Sequence, residues 1–177
     1  MIVLINDLSA IRIEHVGQSI VFCSGSFDLL HPGHVWFLEQ AKRIIEASRL
    51  FVAVGSDALI AYRKLGRPIL NEAARLKMID SLSAVDFCYL DTISRPEFPL
   101  AGVEHAFAFL KPHVYVIEDD AFGVDERRVL CERYGAKLHV LNKRESDFPE
   151  MSTTAIIEKI IRENTKLNKE GDFIWMT

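Results

Sequence analysis

Short apolar runs alternate with longer amphipathic stretches along the chain. Ile20–Cys23 (I-V-F-C), Leu50–Val54 (L-F-V-A-V), Phe87–Leu90, Val114–Ile117 and Leu138–Leu141 have the length and content of buried strands. Between them the period changes. Val35, Leu38, Ala41 and Ile45 recur at helical spacing, and so do Leu76, Ile79 and Leu82 behind Asn71, a good N-cap. Val103–Leu110 reads as a helix ended by Lys111-Pro112, because proline disfavours the helical region for the residue before it. Asp125–Tyr134 reads as a helix stopped by Gly135, and Ser152 caps a last helix through about Asn164. Unbroken apolar strands alternating with helices predict an α/β fold: a Rossmann-like, five-stranded parallel sheet with helices on both faces.

A length of 177 residues fits a single domain over 1–177. Its core is expected at about 20–161, between a short N-terminal extension and a C-terminal tail. That tail is charged from Asn164 to Asp172 and apolar again at Phe173–Met176, which are expected to dock on the core or on a second subunit. Ser94–Pro99, with two prolines, and the charged tail are expected to be the least ordered segments.

Composition narrows the function. Lys plus Arg number 21 and Asp plus Glu 25, a net charge of −4, so the chain lacks the basic field that drives nucleic-acid binding. No apolar stretch approaches the ~18 residues of a membrane span. Met1–Ile5 has neither the basic start nor the small-residue pattern of a secretory signal. Cys23, Cys88 and Cys131 are widely spaced and show no C-x-x-C pairing, so they are expected to be buried thiols in a reducing, cytoplasmic compartment.

The chemistry concentrates where the first strand ends, in G-S-F-D-L-L-H-P-G-H, Gly25–His34. Gly25 permits a tight turn and close ligand approach. Pro32 suits a helix start, where its missing N–H costs nothing. The helix N-terminus presents unpaired N–H groups and partial positive charge, which suits a phosphate. His31 and His34, three apart, lie on one side of that first turn, with no side chain on Gly33 between them. Two imidazoles there would donate to an anion and respond to its charge. Two loop histidines without a common ligand, or a zinc pair, are the alternatives; no third ligand sits at a supporting spacing.

The string G-x-F-D-x-x-H-x-G-H after a first strand resembles the signature of the cytidylyltransferase-like nucleotidyltransferases. Val52–Asp57 (V-A-V-G-S-D), Arg67-Pro68 with Asn71–Arg75 and Val85-Asp86, Lys111-Pro112 through Asp120, and Met151–Ile157 (M-S-T-T-A-I-I) resemble the segments that follow it in that family. The similarity runs from about Ile20 to Ile161 and is closest to the sugar-phosphate branch. That branch includes heptose 1-phosphate adenylyltransferases, with glycerol-3-phosphate cytidylyltransferases and FAD synthetases as near relatives. The resemblance implies attack by an acceptor's phosphate on the α-phosphate of ATP, favoured over CTP, with release of pyrophosphate. It also implies a divalent metal, usually Mg2+, and a homodimer. A noncatalytic nucleotide-binding module is the alternative from another class.

Carried over residue by residue, the resemblance makes His31, His34 and Lys64 catalytic. Lys64 is chosen from the basic cluster Arg63, Lys64 and Arg67. It assigns nucleotide binding to Gly25, Ser26, Phe27, Asp28, Gly33, Arg75, Asp119, Lys143, Arg144, Ser152, Thr153 and Thr154. Ser152 also serves as a plain N-cap, and either Lys143 or Arg144 would lie over the nucleotide. The fourth strand ends I-E-D-D, Ile117–Asp120, where the heptose branch shows K-G-G-D. Ile117 removes a cation and Glu118 adds a carboxylate. Thr92–Leu110 is also longer than in close relatives, and both departures are expected near where the acceptor binds. His105, His113 and His139 match no motif position and are expected at the surface or at strand edges.

Overall fold

A computed structural model describes residues 1–63 and 68–170. All five expected strands form: β1 (Ile20–Gly25), β2 (Arg49–Gly55), β3 (Phe87–Asp91), β4 (Val114–Glu118) and β5 (Lys137–Leu141). Every pairing is parallel and the order is β3-β2-β1-β4-β5. The helices are α1 (Leu8–Glu14), α2 (Pro32–Arg43), α3 (Asp57–Arg63), α4 (Glu72–Asp80), α5 (Ala101–Leu110), α6 (Val124–Tyr134) and α7 (Thr153–Glu170).

Strand alternation divides the core in two. Phe22, Ala53, Tyr115 and Ile117 face one layer with α1, α5 and α6. Cys23, Val52, Val54 and Val116 face the other with α2 and α4. The unbroken apolar strands follow from this, since both faces are covered. The three cysteines are buried and unpaired. Burial holds Cys88 and Cys131 in the thiol form, each pushed up to about 11.

Two helices are additions to the expected pattern. The N-terminal extension folds as α1, which buries Leu8 and Ile11 against α5; seven residues are too few for a clear helical period. Helix α3 begins at Asp57 directly beyond the β2 turn. Ser94–Pro99 is ordered by more than its prolines suggest. Arg95 and Phe98 exchange backbone hydrogen bonds at 3.0 and 3.3 Å, and buried Ser94 accepts from the Gly102 amide at 2.9 Å. Helix α7 continues to Glu170, beyond the expected end at Asn164. Phe173–Met176 lie outside the described residues. Among the unassigned histidines, His113 accepts the Ile20 amide at 3.0 Å and ties β4 to the start of β1. Among the described residues no helix is long and apolar enough to cross a membrane.

Candidate active site

In an open parallel sheet, the strand order reverses at one point, and the loops leaving the two strands there part to opposite faces. Here that point lies between β1 and β4. A cavity of about 530 Å3 opens at their carboxyl ends, within the size range of small-molecule sites, roughly 300–1,000 Å3.

The β1–α2 loop forms one wall. Phe27 and Leu29 take left-handed backbone angles, φ 49° and 46°, which disfavour side chains by ~1–2 kcal/mol each. Asp28 between them stabilises this path. Its buried carboxylate accepts the amides of Leu29 (3.1 Å), Ile69 (2.9 Å) and Leu70 (2.9 Å). Gly25 is required because a Cβ there would stand 2.9 Å from the Phe27 ring.

His31 is the N-cap of α2, with extended backbone (φ −139°, ψ 166°), and Pro32 follows at the first helical position. The His31 carbonyl accepts the His34 amide at 2.9 Å. The two imidazoles stack, with centroids 3.7 Å apart and planes 21° from parallel, and Phe27 sets its ring edgewise to His34 at 5.5 Å. A Cβ on Gly33 would stand 3.1 Å from the His31 ring and 3.3 Å from the Met151 carbonyl, so the stack needs glycine there. Two like charges this close repel by about 4 kcal/mol at an effective dielectric constant of 20. Burial, and secondarily Lys143, lowers the His31 pKa below the ordinary imidazole value. Nδ1 of His31 is buried with no hydrogen-bond partner among the described residues. An anion between the rings and Lys143 would offset both costs.

The start of α7 forms the facing wall. Ser152 Oγ accepts the Ala155 amide at 3.1 Å, an N-cap in fact as well as in sequence. Thr153 Oγ1 donates to the Asp28 carbonyl at 2.6 Å, pinning the helix start to the β1–α2 loop. Ser152, Thr153 and Thr154 all line the cavity, together with Gly25, Ser26, Phe27, Asp28, His31, His34 and Lys143. Lys143 is half-buried there, 3.3 Å from the Asp120 carboxylate, whereas Arg144 is exposed and does not line the cavity.

Four expected residues stand apart from the lining: Gly33, Arg75, Asp119 and Arg144. Arg75 is wholly buried and holds the frame together. Its guanidinium donates to the carbonyls of Leu70 (2.9 Å), Ser26 (2.5 Å) and Gly55 (2.8 Å), and to the Asp57 carboxylate at 2.7 Å. Asp119 uses its amide on the Leu141 carbonyl and one carboxylate oxygen on the Lys143 amide, closing the β4 and β5 ends. Lys64 and Arg67 lie outside the described residues, as does the Arg63 side chain.

The altered end of β4 divides between two faces. Ile117 packs with the α5–α6 layer. Glu118 points the other way by alternation, toward Cys23 and Lys143. Burial first, then Asp120, raises the Glu118 carboxyl above its ordinary value, while Lys143 lowers it. Both residues line the cavity.

Sequence reasoning missed Ser24, Asp91 and Arg127, all in the cavity wall. Arg127 sits in D-E-R-R, which reads as a solvated helix face, and its contact Ser24 is 103 residues away. No local signal marks it.

The cytidylyltransferase-like family profile matches residues 22–159. Over 146 residues the chain is 40% identical to "Bifunctional protein HldE" of Pseudomonas fluorescens (strain SBW25), covering 81% of this chain and 28% of that protein. The chain thus spans little more than a quarter of the length of the curated relatives it matches. Among solved structures it resembles the lipopolysaccharide core biosynthesis protein from Thermoplasma volcanium GSS1, with TM-score 0.55 and 26% identity, covering 71% of this chain and 96% of that one. A pantothenate synthetase from Thermus thermophilus shares the fold, with TM-score 0.51 and 15% identity over 80% of this chain and 60% of that one.

Proposed function

Because the chain belongs to the cytidylyltransferase-like family, we propose that it is a nucleotidyltransferase that moves AMP from ATP, or CMP from CTP, to a phosphorylated small molecule, a sugar phosphate by sequence resemblance. An oxygen of the acceptor's phosphate forms a bond to the α-phosphorus. The bond from that phosphorus to the bridging oxygen of the β-phosphate breaks, and pyrophosphate leaves with the electron pair. The attacking phosphate is already ionised, so the step needs no protein nucleophile and no general base. It needs positioning and donors that meet growing negative charge.

The stacked imidazoles of His31 and His34, facing the start of α7, carry this reading. They would hold the triphosphate with Lys143 and the amides at the two helix starts. Ser26 and Phe27 would line its path, Gly25 and Gly33 leave room, and Asp28 and Arg75 keep the walls in register. Lys64, which follows α3 in the chain, is proposed as a further cation.

Magnesium fits as a companion of the triphosphate. Among the described residues no three metal-ligating side chains converge, and Mg2+ commonly binds through substrate phosphates and one or two carboxylates. Asp120, in the cavity wall, would supply a carboxylate, with Asp119 beside it in the chain. The ion would neutralise phosphate charge. We also propose a cytoplasmic homodimer: three unpaired buried thiols suit a reducing compartment, and Ile160 and Ile161 of α7 are exposed.

The test is pyrophosphate release with each triphosphate, magnesium and a panel of phosphorylated acceptors. Release with at least one acceptor is expected. His31→Ala and His34→Ala should each lower turnover about 100-fold or more, ~2.7 kcal/mol of transition-state stabilisation. Tight ATP binding with no release across the panel would make the chain a noncatalytic nucleotide-binding module.

A further inference from the structure

The cavity has two ends. Phe27, Phe37, His31 and His34 line the end on the α2 side, and Ala53, Val103 and Ile117 line the end beneath α5 and α6. The second end is mostly apolar, yet a cation stands in its wall. Arg127, from the first turn of α6, is 8% exposed. Its guanidinium is fixed in place. Nε donates to the Phe122 carbonyl at 2.8 Å, Nη1 donates to Ser24 Oγ at 3.2 Å, and the carbon centre lies 5.4 Å over the Tyr115 ring. Ser24 Oγ is itself fixed 2.6 Å from Tyr115 Oη. Ser24 lies on β1, two residues before Ser26.

We infer that Arg127 holds the attacking phosphate of the acceptor on the α5–α6 side of the β1–β4 crevice, across from the two imidazoles. This rests on the nucleotidyltransferase reading and adds to it the residue that receives the second substrate. A planar fork fixed against a ring and two oxygens is pre-organised for a tetrahedral oxyanion. The place is right for the chemistry. A phosphate at the end of β1 would be next to the Ser26–Phe27 turn, where the α-phosphate of a nucleotide gripped by His31 and His34 must lie for in-line attack. The apolar wall beyond, from Pro99 to Val103, leaves the phosphate as the acceptor's main charged group. Asp91, 5% exposed in the same wall, accepts the amides of Ile93 (3.0 Å) and Ser94 (2.9 Å) through Oδ1 and would disfavour a second anion on the acceptor. The acceptor is thus a phosphate monoester with one anionic group.

The experiment is calorimetric titration of the intact chain with inorganic phosphate, in the presence of saturating non-hydrolysable ATP analogue to fill the imidazole end. Phosphate should bind the wild type. Arg127→Gln should weaken it at least tenfold and leave affinity for the analogue, titrated alone, within twofold. His31→Ala should do the reverse. Arg127→Lys keeps the charge, loses the fork and should fall between; it is the substitute if the glutamine variant does not fold. Phosphate affinity unchanged in either foldable variant, or no phosphate binding by the wild type, overturns the assignment. Acetate binding as tightly as phosphate also overturns it, in favour of a carboxylate acceptor. None of these readouts needs turnover, so failure of the acceptor panel would count against the transferase reading and leave the Arg127 titration to stand or fall by itself.

Discussion

Thr153 Oγ1 donates a 2.6 Å hydrogen bond to the carbonyl of Asp28, across 125 residues of chain. The bond joins the two loops that face each other over the cavity. The donor opens α7 and the acceptor lies in the strained turn before α2. The distance between the imidazoles and the Ser152–Thr154 segment is therefore a property of one hydrogen bond and the backbone on either side of it.

Thr153→Val keeps the shape of the side chain and removes the donor. Loss of a hydrogen bond of this kind costs about 1 kcal/mol of stability. The expected effect on nucleotide affinity is larger, about tenfold, because the two walls lose their register. Thr153→Ser, which restores the donor, should recover most of the affinity; equal weakening by both substitutions in a binding titration would show that the hydroxyl does not act through Asp28.

Arg75→Met should destabilise the fold by roughly 3–5 kcal/mol, the usual cost of breaking a buried charge pair, since it strands three carbonyls and the Asp57 carboxylate. Chemical denaturation measures this. Nucleotide affinity in the fraction that stays folded should also fall, because the side chain holds the carbonyls of Ser26 and Gly55, two residues of the cavity wall.

Gly33→Ala is expected to lower turnover about tenfold or more with a stability change near 1–3 kcal/mol. The added methyl group meets the His31 ring at 3.1 Å and the Met151 carbonyl at 3.3 Å, so the stack must open. A Gly33→Ala enzyme with native turnover would show that the ring spacing is not needed.

The lowered His31 pKa has a signed consequence. Above about pH 6.5 the imidazole is neutral in both the folded and unfolded chain and contributes nothing to the pH dependence. As the pH falls through 6.5 the unfolded chain takes up a proton more readily than the buried ring does, so stability should decline until the folded value is passed. A bound polyphosphate favours the imidazolium, so nucleotide binding should take up protons as the pH falls toward the lowered His31 value. Calorimetry in two buffers of different ionisation enthalpy detects that uptake, and His31→Ala should abolish most of it.

Glu118 has the opposite sign. Its carboxyl is raised, so the folded chain holds its proton more tightly than the unfolded chain does, and stability falls as the pH rises from about 4.5 through the folded value. Glu118→Gln should raise the melting temperature at pH 7, with the gain shrinking as the pH is lowered toward 4.5. A gain that persists unchanged at pH 4.5 would point to packing and not to charge.

Much of this molecule is written locally in its chain. Runs such as Leu50–Val54 can be satisfied only between two layers, so their apolar continuity determines a covered parallel sheet. Gly25–His34 carries its own geometry: a glycine where a ring must pass, a proline at a helix start, and two histidines one turn apart. What the sequence left open depends on groups far apart in the chain. Arg127 reads as a surface arginine and Arg75, by resemblance, as a nucleotide contact, because a helix segment does not disclose what its neighbours bury. Whether a cation lines a cavity or braces a loop is decided by carbonyls and hydroxyls up to 103 residues away. The choice of Lys143 over Arg144 likewise awaited the packing of β5 against β4. Local periodicity determined the layers and the Gly25–His34 motif the turn at the end of β1; only the tertiary structure decided which charges face the cavity, because desolvation and hydrogen-bond completion act on neighbours in space and not along the chain.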